Sequence, residues 1–165
     1  AIPIVNENDT VAVNELKVGD NDNLAAYTAL VAQADTLIIC SDIDGLYTAD
    51  PRKDASATLI PTVEHIDETI YALAGGAGTA VGTGGMRTKI QAADKSTTSG
   101  IQTLIVNGKK ADTFDSLLKG EVLGTLFKAT QTPKKARRLW LSHTLKTCGT
   151  INAVSYTHLT LPTSR

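Results

Sequence analysis

A chain of 165 residues with 42% hydrophobic content is long enough for one folded domain with a real core, which excludes disorder, collagen and coiled coil. Its longest uninterrupted aliphatic run, Leu37 to Cys40, falls far short of the roughly 20 residues of a membrane helix, so a soluble protein is expected. The net charge of −1 argues against a nucleic-acid binder, yet the charge is segregated: residues 1–82 hold 13 Asp or Glu against 3 Lys or Arg, and residues 83–165 hold 4 against 13. Such segregation suits a site where carboxylates and cations meet around a metal-bound anion, and equally two oppositely charged solvated faces.

The chain opens on Ala1-Ile2-Pro3-Ile4-Val5, a β-branched run that predicts a strand already in progress, so a fragment is expected. No basic, apolar leader precedes it, and Cys40 and Cys148 lack metal-ligand spacing, which predicts a reducing cytoplasm. After the polar stretch Asn6–Asp9 and the cluster Gly19-Asp20-Asn21-Asp22-Asn23, residues Leu24, Tyr27, Thr28 and Val31 fall at helical spacing, with Asn21, Asp22 or Asn23 available as the N-cap. Thr36–Cys40 is a continuous apolar run of the kind covered on both faces, ended by Ser41-Asp42-Ile43-Asp44-Gly45. Leu59-Ile60-Pro61 predicts a short edge piece, and Asp67 can cap a helix running to about Ala74.

Residues 75–85 contain six glycines in eleven positions, too permissive for regular structure. A helix is expected from Met86 to about Ser96, a buried strand over Thr103–Val106, a short helix near Asp112–Lys119, an apolar turn at Gly124–Phe127 and a basic strand at Arg137–Leu141. Alternating strands and helices predict a mainly parallel α/β sheet. From about Ala153 the Ser/Thr-rich end lacks acidic residues and periodicity, and is expected to be an expression or sequence-assembly scar.

Three clusters could carry chemistry. Neither a P-loop nor a Gly-x-Gly-x-x-Gly fingerprint occurs, but Thr83-Gly84-Gly85-Met86-Arg87-Thr88-Lys89 is a glycine turn feeding a helix. There backbone N–H groups can approach an anion, the helix N-terminus adds positive charge and Lys89 can reach a phosphate; a plain flexible loop is the alternative. Asn6–Asp9 with Asp20–Asn23 offers acceptors for a cation and donors for a carboxylate, or only Asx turns and helix caps; an EF-hand fails because its sixth and twelfth positions from Asp20 are Ala25 and Val31. Ser41-Asp42 closes a strand at the end where open α/β sheets bind ligands, or is a simple turn. Together these elements fit phosphoryl transfer, and an already ionised carboxylate acceptor would need no general base. His65, His143 and His158 belong to none of the clusters.

Four motifs then resemble one family. Ile4-Val5-Asn6-Glu7-Asn8-Asp9, Lys17-Val18-Gly19-Asp20-Asn21-Asp22-Asn23-Leu24, Asp44-Gly45-Leu46-Tyr47-Thr48-Ala49-Asp50-Pro51-Arg52 and Gly82-Thr83-Gly84-Gly85-Met86-Arg87-Thr88-Lys89 are similar, in order and separation, to the glutamate 5-kinase family of the amino acid kinase superfamily. The resemblance covers roughly residues 1–151, the C-terminal part of the kinase domain. It implies a three-layer αβα sandwich truncated at its N-terminus, with residues 1–136 in the kinase domain, 137–152 a linker and 153–165 a non-native tail. It implies ATP-dependent phosphorylation of the L-glutamate side-chain carboxylate, the first step of proline biosynthesis, with magnesium, in the cytoplasm, by a homo-oligomer commonly inhibited by proline.

By motif, the resemblance implies that Asp9 and Asn21 bind glutamate and that Ser41 and Asp42 contact ATP. Thr83, Gly84, Gly85, Met86, Arg87, Thr88 and Lys89 would line its phosphates, Arg87 without a role of its own. Lys89 would stabilise the transferred phosphoryl and Asp22 would orient the catalytic lysines. The family's N-terminal lysine, glycine-rich turn and glutamate-binding serine are not in this sequence, so the chain itself is expected to be inactive. The alternatives are a sibling kinase, acting on aspartate, acetylglutamate, uridylate or carbamate, and a non-catalytic nucleotide-binding fragment.

Overall fold

The computed structural model describes residues 1–6, 20–74, 85–121 and 123–130. The glycine-rich stretch 75–84, the basic strand expected at Arg137–Leu141, the linker and the tail lie outside the described residues, as do Asp9, Thr83 and Gly84. Eight elements follow in order: α1 (Asn21–Ala32), β1 (Thr36–Ser41), β2 (Thr62–Val63), α2 (Glu68–Leu73), α3 (Met86–Thr98), β3 (Gln102–Asn107), α4 (Thr113–Leu118) and β4 (Thr125–Phe127).

The strands form one sheet in the order β1-β3-β4-β2. β1 runs parallel to β3 with Ile39 opposite Ile105, and β2 runs parallel to β4, while β3 and β4 are antiparallel. The fold is therefore α/β with a mostly parallel sheet. Gly124–Phe127, expected as a turn, is a short strand instead, because Gly124 at φ +76° lets the chain reverse with its Cα against the Ile105 carbonyl. An added Cβ there would lie 2.0 Å from that oxygen, so only glycine fits.

The core sits between the sheet and the pair α1 and α3, which pack against each other. Leu37, Ile39, Ile105 and Phe127 from the strands meet Ala26 and Ala29 of α1 and Ile90, Ala92 and Ala93 of α3. Small residues at the helix contact allow a close approach, which brings polar groups at the ends of the two helices within reach. The stripe that marks α1 in the sequence is its outer side: Tyr27 is 37% and Val31 74% exposed, while Asn23, Ala26 and Ala29 are buried. Asp20, not a residue of the following triplet, caps the helix, its Oδ1 accepting from Asn23 N at 2.7 Å.

β1 alternates rather than being covered on both faces: Leu37 and Ile39 are buried, but Ile38 is 43% exposed and Cys40 is exposed. Among the described residues, α1 and α3 cover one face of this edge strand. The opening run Ala1–Val5 forms no strand here, with Ile2 and Ile4 more than 90% exposed.

Between β1 and β2 the chain makes an excursion whose neck is closed by Ile60 N donating to Leu46 O at 2.8 Å and by an antiparallel bridge between Tyr47 and Leu59. The edge strand begins just after it, at Thr62 rather than Leu59. Thr125 on β4 locks the neck: its buried hydroxyl accepts from Leu46 N at 2.8 Å and donates to Ile60 O at 2.7 Å. Asp67 caps α2, as expected, by accepting from Ile70 N at 3.0 Å.

Candidate functional site

The first turn of α1 meets the first turn of α3 through a carboxylate. Asp22 receives Lys89 Nζ at 3.0 Å on Oδ2 and 3.1 Å on Oδ1, and the two side chains are only 16% and 11% exposed. The Thr88 hydroxyl lies 2.8 Å from both Asp22 Oδ2 and Gly85 O, so one proton is shared between two acceptors. The low exposure weakens dielectric screening, and the bidentate contact fixes where the ammonium stands.

α3 starts at Gly85 with extended backbone and no side-chain cap, and no acidic residue occupies its first turn. Its leading N–H groups therefore have no intrahelical partner, and with Lys89 beside them they form a place where an oxyanion is favoured. Met86 is half-buried against the core. Arg87 points elsewhere, with its guanidinium 6.0 Å from the centre of the Tyr71 ring. Asn21, the first residue of α1, is exposed next to Asp22.

Ser41 and Asp42 form a second group at the carboxyl end of β1. The Ser41 hydroxyl lies 3.4 Å from Asp42 Oδ1, and Arg52 reaches Asp42 Oδ2 at 3.3 Å in an exposed pair. Next to them Asp44 accepts from Lys110 Nζ at 2.8 Å and from Asn107 Nδ2 at 2.9 Å. The Lys110 hydrogen bond, followed by that of Asn107, holds the Asp44 carboxyl below its usual range, and Asp44 in turn raises Lys110. Thus both parallel strands β1 and β3 end in polar groups at the same edge of the sheet.

Sequence reading did not anticipate several of these partners. Arg52 stood only at the end of the Asp44–Arg52 motif and Asn107 and Lys110 carried no role, although both follow an apolar strand just as Asp42 and Asp44 do. Lys95 donates to Asn23 Oδ1 and stands 5.2 Å from the Tyr27 ring centre, while Asn23 Nδ2 donates to Asp20 Oδ2 at 2.7 Å. Tyr71 donates to Asp94 Oδ2 at 2.9 Å and lines, with Glu68, Ala72, Arg87 and Gln91, an open cavity of about 450 Å³ between α2 and α3. Burial, reinforced by Asp94, pushes the Tyr71 phenol up to about 12.

An α/β sheet with polar strand ends and an anion-favouring helix start offers a place where an anionic ligand can sit. The amino acid kinase family model matches residues 1–107, and the chain belongs to that family. It is 57% identical over 150 residues to a glutamate 5-kinase of Idiomarina loihiensis, covering 91% of this chain and 40% of that one. To a glutamate 5-kinase of Salinibacter ruber it is 54% identical over 148 residues, covering 90% of this chain and 39% of that one. The chain thus spans about 40% of the length of the curated relatives it matches. Among solved structures, a uridylate kinase from Archaeoglobus fulgidus is similar over 64% of this chain and 45% of that chain, at 24% identity and a TM-score of 0.45.

Proposed function

We propose that this chain is the C-terminal part of a kinase domain that phosphorylates the side-chain carboxylate of L-glutamate from ATP, giving L-glutamyl 5-phosphate for proline biosynthesis. The observation that carries the reading is the Asp22 carboxylate bridging Thr88 and Lys89 at the uncapped start of α3. The identity to glutamate 5-kinases supports glutamate as the acceptor.

In this reading the nucleotide lies across the carboxyl edge of the sheet. Its phosphates face the first turn of α3, from Gly85 through Thr88, Thr83 and Gly84 belong to the same phosphate-lining motif, and Ser41 and Asp42 contact it at the end of β1. Lys89 stands where charge spreads over the moving phosphoryl oxygens, and a positioned cation stabilises that charge without any reorganisation. Asp22 keeps the ammonium in place, while Asn21, one residue earlier, and Asp9 hold glutamate. The acceptor carboxylate is ionised near neutral pH, so no side chain has to remove a proton from it.

Among the described residues no cluster of three or more His, Cys, Asp or Glu could hold a metal, and both Asp22 oxygens are engaged. Magnesium would enter with the nucleotide, whose phosphate oxygens and water supply much of its coordination, and it would neutralise phosphate charge there. The intact parent is a cytoplasmic homo-oligomer, with residues 1–136 in its kinase domain and 137–152 leading onward.

The test is glutamate-dependent ADP release, with the product trapped as its hydroxamate. It would be run on this chain and on a chimera carrying the N-terminal part of the Idiomarina loihiensis relative. Activity in the chimera alone is expected; a chimera that phosphorylates aspartate or acetylglutamate instead, or that binds Mg-ATP without turnover, would overturn the reading. In the active chimera Lys89→Ala should abolish turnover with glutamate affinity largely kept, and Asp9→Ala should chiefly raise the glutamate KM.

A further inference from the structure

The turns that end β1 and β3 are fastened to each other largely by one residue. Asn107 closes β3 opposite Ser41, and its Nδ2 donates to Asp44 Oδ1 at 2.9 Å and lies 3.5 Å from Asp42 O. Its Oδ1 accepts from Lys109 N at 3.0 Å, and its backbone carbonyl accepts from the Thr113 hydroxyl at 2.7 Å. Thr113 is buried at the start of α4, which anchors Asn107 to that helix. One residue on, Gly108 N donates to Ser41 O at 2.9 Å. An added Cβ on Gly108 would lie 2.8 Å from the Cβ of Cys40, so the two turns leave no room between them.

These partners demand an amide. One end of the side chain must accept from a backbone N–H while the other donates to a carboxylate, and asparagine does both. Aspartate at this position would keep the acceptor for Lys109 N but would turn a second carboxylate toward Asp44, where the two repel.

The fastening holds the segment from Ser41 to Gly45. Its far end is fixed by β4: an added Cβ on Gly45 would lie 2.6 Å from Thr125 Oγ1, which accepts from the next N–H, that of Leu46. Between the two ends, the Asp42 side chain has an exposed ion pair with Arg52 and a 3.4 Å contact with Ser41. Exposed pairs of this kind hold a side chain weakly. The placement of Ser41 and Asp42 therefore depends on the turn after β3. We infer that Asn107 is a positioning residue for the nucleotide: by holding the β1 turn against the β3 turn, it sets where Ser41 and Asp42 stand at the carboxyl edge of the sheet. The inference rests on the reading that Ser41 and Asp42 contact ATP, and it involves neither Lys89 nor the acceptor.

Asn107→Asp tests it. In the active chimera the KM for ATP should rise about tenfold while the KM for glutamate changes less than about twofold, because a displaced binding group loses its contact with one substrate only. A merely structural role would lower the amount of active enzyme, and with it kcat, and leave both KM values in place. The swapped pair, Asn107→Asp with Asp44→Asn, again sets a donor against an acceptor and should return the ATP KM to within about threefold of the wild type. An ATP KM unchanged in Asn107→Asp, or an equal rise for glutamate, would overturn the inference alone. A wild-type chimera that binds no Mg-ATP would overturn the reading of the site and the inference with it. In this chain, hydrogen exchange should find the Gly108 N–H protected in the wild type and about fivefold or more faster in Asn107→Asp. The wild-type measurement decides by itself if the variant fails to fold: exchange at Gly108 as fast as in an unstructured peptide would show that the two turns are not held together.

Discussion

Asp22→Ala tests whether the junction of α1 and α3 is a working ion pair. The substitution leaves the Lys89 ammonium without its carboxylate at a site where the lysine side chain is 11% exposed. Removing one partner of a fully buried pair costs about 3–5 kcal/mol. Residual exposure lets the long lysine stem carry its head toward water, which lowers that figure to about 2–3 kcal/mol. The Thr88 hydroxyl keeps Gly85 O as an acceptor, so its loss adds at most about 0.5 kcal/mol. Urea unfolding of this chain should therefore show Asp22→Ala destabilised by about 2–3.5 kcal/mol, with an unchanged denaturant slope. The decisive comparison is the double-mutant cycle with Lys89→Met: removing both charges should recover at least about 1 kcal/mol of the summed single effects. Strict additivity would show that the two charges do not sense each other and would refute the positioning argument for Lys89.

Other expectations follow from single features. Thr125→Val keeps the shape but strands the Leu46 N–H and the Ile60 carbonyl in a fully buried place, which should cost about 2–4 kcal/mol in urea unfolding. Asp44 has a folded-state pKa below its ordinary 3.8, so its stabilisation is present above that value and fades as pH falls through the lowered one. Lys110 is raised above 10.5, so its share is present below that value and fades at higher pH. Acid titration of unfolding stability in Lys110→Met should accordingly show a weaker loss below about pH 4 than in the wild type. Phenolate absorbance should place Tyr71 near 12, and Asp94→Asn should bring it part of the way back, since burial and not Asp94 is the larger cause.

The legible parts of this chain are those with a local physical signal. Asp67 capping α2, the helix starting at Met86, and the apolar runs of β1 and β3 each announce themselves within a few residues. What stayed hidden depends on distant partners. Hydrophobic spacing in α1 marks Leu24, Tyr27, Thr28 and Val31, yet the buried side holds Asn23, Ala26 and Ala29. A buried asparagine makes sense only once Lys95 and Asp20 satisfy its amide. β4 escaped because three residues carry almost no pattern, and its strand character comes from pairing with β3 and β2. The Lys89 site was legible because glycine turn, helix and lysine are contiguous. Its link to Asp22, 67 positions away in the chain, rests in the sequence on the resemblance alone and is made in the fold by the packing of the two helices.

The closed neck at Leu46 and Ile60 has an evolutionary consequence. Because Thr125 and the Tyr47–Leu59 bridge fix both ends of the excursion, and Arg52 reaches back to Asp42, the contacts that join it to the sheet all lie outside its tip around Asp54–Ala57. For a flexible loop, each doubling of length costs only about 0.6 kcal/mol in closure entropy. The tip is thus where this lineage can accept insertions at little cost, acquiring new contacts for partners while β1, β4 and the polar edge of the sheet keep their positions.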